Sequence, residues 1–137
     1  MNVDMRVERA IELRGQKYNC AQTVIGAYAD AIAVPFEQLM KMSEGLGGGI
    51  AGTGDTCGVI SAAALVLGLL KGTGEPDLAH KEQLNATIKA LIQEFKEEHG
   101  TIACFELRGI INPEVRKKSS TCNELIFNMV RMIDKYL

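Results

Sequence analysis

The chain has 137 residues, enough for one domain whose core folds without disulfides or metals, so its four cysteines call for another explanation. Hydrophobic residues make up 47% and aromatics 5%, with no tryptophan; a core of Ala, Leu, Ile, Val and Met favours helices over sheets. A net charge of -2 with both signs interspersed removes any electrostatic case for nucleic acid or an anionic membrane.

The opening stretch MNVDMRVERAIEL alternates charged and apolar residues and lacks the apolar run of an export signal, which predicts a cytoplasmic, reducing location. Val3, Val7, Ala10 and Ile11 recur at helical spacing, predicting a first helix from about Asp4 to Arg14 that ends at Gly15. Asn19 with Gln22 reads as an N-cap opening a second helix, with Cys20, Val24, Ala27 and Tyr28 inward and an end near Ala33. Pro35 restarts the chain as a short third helix to about Met42, carrying Phe36, Leu39 and Met40. A loop with six glycines between Gly45 and Gly54 follows.

From Cys57 to Leu70 nearly every residue is small or aliphatic, which predicts a central helix covered on most sides. Its uncharged part is too short for a membrane span and suits a buried core or a dimer interface. After the break at Gly72 to Pro76, a fifth helix runs to about Glu98 with Leu84, Ile88, Leu91, Ile92 and Phe95 on its buried stripe. His80 reads as solvated and His99 as a helix-terminal cation. Thr101 is expected to cap a short turn through Cys104, Phe105 and Leu107 that stops at Gly109, and Ile110 to Ser120 reads as a loop whose basic run, Arg116 to Lys118, is solvated. Thr121 to Glu124 has the form of a capping box and opens a last helix with Cys122, Leu125, Ile126, Met129 and Ile133 inward. The expected architecture is all-α, a single domain over 1–137 with about six or seven helices around a central apolar helix.

Cys20, Cys57, Cys104 and Cys122 each fall within the first turn of a predicted helix, where unpaired N–H groups favour a thiolate. If successive helices alternate in direction, the starts of the second, fourth and sixth helices share one end of the bundle, and the loop after Gly109 is long enough to return Cys122 to it. Buried cysteines acting only as small hydrophobes are the alternative. No spacing matches the C-x-x-C of zinc ribbons or dithiol enzymes. Gly47 to Gly52 matches G-x-G-x-x-G but lacks the preceding strand that a dinucleotide site needs.

The set Asn19-Cys20-Ala21-Gln22, Gly47 to Gly49 with Cys57-Gly58, Gly100 to Leu107 including Cys104, and finally Cys122 resembles the C_GCAxxG_C_C family of redox-active proteins over nearly the whole chain. Val59 and Ala62 depart from the family's alanine and glycine. The resemblance implies redox chemistry as a class.

Three functions follow. The first is a thiol oxidoreductase in which Cys57 attacks, one of Cys20, Cys104 and Cys122 resolves, and Gly47, Gly48 and Gly49 hold an anionic partner. The second is a zinc or iron–sulfur site on all four thiolates. The third is a non-redox helical binding protein with inert cysteines. Asp55, just before Thr56 and Cys57, reads as a turn residue or a proton acceptor for the thiol. The redox partner is not identified by the sequence; nucleic acid and membrane insertion are not expected, and a homo-oligomer is compatible with the apolar helix.

Overall fold

A computed structural model describes residues 1–137 as seven α-helices: α1 (Val3–Gly15), α2 (Cys20–Ala27), α3 (Phe36–Glu44), α4 (Gly58–Lys71), α5 (Leu78–His99), α6 (Cys104–Leu107) and α7 (Cys122–Asp134). The only extended pairing is an isolated antiparallel bridge between Thr56 and Ala103. No helix is long and apolar enough to cross a membrane.

Local signals start the helices where the sequence places them. Asn19 accepts from the Gln22 N–H at 2.9 Å while the Gln22 side chain accepts from the Asn19 N–H at 3.0 Å; Thr121 and Glu124 close the same reciprocal box on α7. Asp77 caps α5 through Ala79 and His80. Each cap satisfies helix-start donors that would otherwise lack a partner.

The apolar helix α4 shares the centre with α2, its most extensive partner, and also meets α5 and α7. Every residue from Ala21 to Tyr28 is buried, because α2 touches α1, α3, α4 and α7 at once. Gly26 makes this approach feasible: a Cβ there would stand 2.5 Å from Leu13 Cδ1.

Four expectations are corrected. The second helix stops at Ala27 and passes through a 3-10 turn at Ala29–Ala31 instead of continuing to Ala33. There Asp30 meets buried Arg6, whose guanidinium also donates to the Ala27 C=O at 3.1 Å and lies 4.5 Å over the Tyr28 ring. On α1 the inner face carries Arg6, Val7, Ala10 and Leu13, while Ile11 is exposed. His99 is not the expected helix-terminal cation: it is fully buried, packed 4.5 Å from the Phe95 ring, with neither ring nitrogen hydrogen-bonded. The cause is the 110–120 loop, which folds back over the end of α5. The Lys117 N–H donates to the His99 C=O at 2.8 Å, Lys117 Nζ to the Glu97 C=O at 2.9 Å, and Lys118 pairs with Glu98 at 2.7 Å. The basic run therefore caps the negative end of α5.

Candidate functional site

All four cysteines line one cavity of about 270 Å³. Cys20 and Cys122 are the first residues of α2 and α7, directly behind the two capping boxes; Cys57 is the N-cap of α4, and Cys104 opens α6. All four are free thiols. The expected convergence of helix starts at one end of the bundle is what brings them together.

The Thr56/Ala103 bridge supplies a link that the sequence reading lacks. The Cys57 N–H donates to the Ile102 C=O at 2.7 Å and the Cys104 N–H to the Asp55 C=O at 2.6 Å. Side chains alternate across an extended pair, so Cys57 and Cys104 lie diagonally on the same face. Thr101 does not cap α6; Ala103 does, while the Thr101 hydroxyl accepts from the Ala103 N–H at 3.1 Å and donates to Glu106. Asp55 is exposed and lies outside the cavity, contributing its backbone.

Burial divides the thiols. Cys57 and Cys104 are 6% and 7% exposed, whereas Cys20 and Cys122 are half-buried. Desolvation pushes the Cys57 thiol up to about 12, against a smaller pull from the Val59 amide and with further upward pushes from the other three sulfurs. Burial also raises Cys104, opposed by the Arg108 guanidinium beside it. The expected activation of Cys57 by a helix start is thus outweighed by the loss of water around its sulfur. No three cysteine, histidine or carboxylate side chains are grouped tightly enough to share a metal ion.

Two glycines answer to the cysteines. A Cβ on Gly58 would overlap the Cys20 sulfur, and one on Gly49 would stand 2.7 Å from Cys104 Cβ. Gly49 also has φ +74°, a conformation that disfavours any side chain. Gly47 lies under the Asn19 side chain, at 2.7 Å from where its Cβ would be, and Asn19 in turn donates to the Glu44 C=O at 2.8 Å. Of the three glycines expected to hold a ligand, Gly48 lines the cavity while Gly47 and Gly49 are filled over by these packed neighbours.

Two arginines at the cavity escaped the sequence reading. Arg14 reaches it from the last turn of α1, and Arg108 follows α6. Arg108 stands four residues after Cys104, a helical spacing that offered a signal. Nothing local marks Arg14 as a cavity residue, because Asn123, which holds its Nε, arrives from α7, 109 positions on.

A family model described as "Putative redox-active protein (C_GCAxxG_C_C)" matches residues 18–136, a span that includes all four cysteines. An uncharacterised protein of Archaeoglobus fulgidus (strain ATCC 49558) is 30% identical over 135 residues, covering 90% of this chain and 87% of the relative. No solved structure matches the chain.

Proposed function

The chain belongs to the C_GCAxxG_C_C family, and from that membership we propose that it is a thiol redox protein working by thiol–disulfide exchange at the four-cysteine cavity. The observation that carries this reading is the meeting of four sequence-distant thiols in one cavity.

The division by burial supports a division of roles. Burial pushes the Cys57 thiol up to about 12, so at neutral pH it is a far scarcer thiolate than an ordinary thiol. The first attack therefore belongs to an outer thiol, Cys20 or Cys122, and not to Cys57. An outer thiolate attacks one sulfur of a disulfide substrate, the S–S bond breaks, and the departing sulfur takes a proton. An inner thiol, Cys57 or Cys104, then attacks the protein sulfur of the mixed disulfide and releases the second half of the substrate as a thiol. The protein loses two protons and two electrons, and the substrate gains them. A dithiol partner reverses these steps to restore the reduced protein.

Native mass spectrometry on protein prepared without oxygen, before and after a disulfide oxidant, tests this. The expected result is metal-free protein that loses two hydrogens reversibly, with peptide mapping joining one outer cysteine to one inner cysteine. A mass that ignores the oxidant in the folded state overturns the proposal in favour of inert buried cysteines. A mass excess matching zinc or an iron–sulfur cluster overturns it in favour of a four-thiolate centre on Cys20, Cys57, Cys104 and Cys122.

A further inference from the structure

The cavity has a charge as well as thiols. Arg14 and Arg108 line it, and no carboxylate does. Arg6, Arg9 and Arg131 pair with acidic side chains, whereas Arg14, Arg108 and Arg116 pair with none, and of these three Arg14 and Arg108 line the cavity. Arg14 is held in place by neutral groups: its Nε donates to Asn123 Oδ1 at 2.9 Å and its Nη1 to the Tyr18 C=O at 3.1 Å. The Arg108 guanidinium sits 6.0 Å from the Phe105 ring and beside the Cys104 thiol. Two cations without counter-ions at one recess, Arg14 held by neutral groups and Arg108 exposed beside Cys104, together with the starts of α2 and α7, make a positive site suited to an anion.

Building on the thiol-redox reading, we propose that the cavity selects small anionic disulfides, whose carboxylate or sulfonate ends pair with Arg14 and Arg108 while the S–S bond meets the outer cysteines. Size agrees with this. At about 270 Å³ the cavity falls just below the range of drug-sized pockets, which suits a ligand of roughly ten heavy atoms. The chemistry is the exchange given above: two protein thiols become a disulfide and the substrate leaves as two anionic thiols.

Three disulfides of similar size and different charge test the proposal: dithiodiglycolate with two carboxylates, bis(2-hydroxyethyl) disulfide with none, and cystamine with two ammonium groups. Each is mixed with the reduced full-length protein at low salt, and the rate of thiol loss is divided by that probe's rate with a simple free thiol. The expected order is anionic, neutral, cationic, with roughly tenfold between neighbours that shrinks as salt is added. Because Arg108 also stands beside Cys104, its variants are read as a ratio between probes: Arg108→Gln is expected to lower the dithiodiglycolate rate about tenfold relative to the neutral probe, while Arg108→Lys keeps most of the preference. Arg108 is exposed, so the variant tests charge and not folding. Equal normalised rates for the three probes, or an Arg108→Gln variant that slows all three alike, overturn anion selection and leave the redox reading standing. Failure of every probe to oxidise the folded protein overturns both.

Discussion

Gly58→Ala isolates the contact that seats one cysteine. A Cβ at this position falls under 3.0 Å from the Cys20 sulfur and also meets the Leu46 C=O at 3.1 Å and the Ala21 N at 3.4 Å. Gly58 is in the first turn of α4 with no positive φ, so the substitution carries no backbone strain and its effect is one of space. Overpacking of this kind costs about 1–3 kcal/mol, and the better helix propensity of alanine returns up to about 1 kcal/mol. The net expectation is a loss of about 1–2 kcal/mol, or roughly 3–8 °C in Tm for a chain of this length. Urea unfolding of the wild type, Gly58→Ala, Cys20→Ala and the double variant under reducing conditions measures the coupling. Without the sulfur, only the milder approach to Leu46 remains, so Gly58→Ala becomes cheaper by about 1 kcal/mol in the Cys20→Ala background. A cost that is the same in both backgrounds, within about 0.5 kcal/mol, refutes the idea that Gly58 exists to admit the Cys20 sulfur. In the single variant the displaced Cys20 should also alkylate faster than in the wild type, since its seat against α4 is lost.

Three further perturbations test the energetics around this site. Cys57 has its folded pKa raised from 9.0 to about 12, so its contribution to stability is complete below pH 9 and is lost as pH rises toward 12, at up to about 1.4 kcal/mol per pH unit; Cys57→Ala should flatten this alkaline limb in urea unfolding from pH 8 to 11, and an unchanged slope contradicts the burial argument. Burial lowers the pKa of His99 below its ordinary 6.5, so stability is full above pH 6.5 and declines as pH falls through the lower folded value; His99→Leu should remove that decline between pH 7 and 5, and an acid limb identical to the wild type's would show that another group is responsible. Asp30→Ala leaves Arg6, 7% exposed, without its carboxylate; because the Asp30 side chain is itself 39% exposed, water softens the loss to about 1–3 kcal/mol, and an unfolding free energy equal to that of the wild type would mean that the Tyr28 ring and Ala27 carbonyl alone hold the guanidinium.

The elements that were legible in the sequence are those with local causes. Asn19 with Gln22, Thr121 with Glu124, and Asp77 announce helix starts through side chains that reach their own backbone three residues away or less, and the apolar stripes of α5 and α7 repeat at the helical period. Where tertiary packing decides, the sequence is silent. The stop of α2 at Ala27 follows from the meeting of Asp30 with Arg6 on α1, a pairing that spans 24 positions. His99 is buried by a loop that begins beyond Gly109 and whose Lys117 N–H returns to its carbonyl. A histidine at the last turn of a polar-faced helix has every local mark of a solvated cation, and only the returning loop reverses that.

The same distinction governs the site. Four cysteines behind helix starts could be expected to converge from chain direction alone, but their ranking by reactivity could not, because ranking depends on burial. Cys57 shows the conflict directly. Its N-cap position favours the thiolate through the Val59 amide, yet its seat between α4 and the bridge strips away water, and desolvation is the larger effect. Cys20 and Cys122 keep the helix-start setting while retaining partial access to solvent. On the proposed thiol–disulfide reading, two sheltered and two accessible thiols give the exchange a direction: substrate meets the accessible pair, and the sheltered pair stays protonated until a mixed disulfide is presented to it. Gly58 and Gly49 are part of that ordering. They lack side chains at the two places where Cys20 and Cys104 press against backbone, and Gly47 and Gly54 make the same room for Asn19 and Phe105, so Gly47, Gly49 and Gly54 of the segment that read as a ligand cradle are each filled over by a packed side chain.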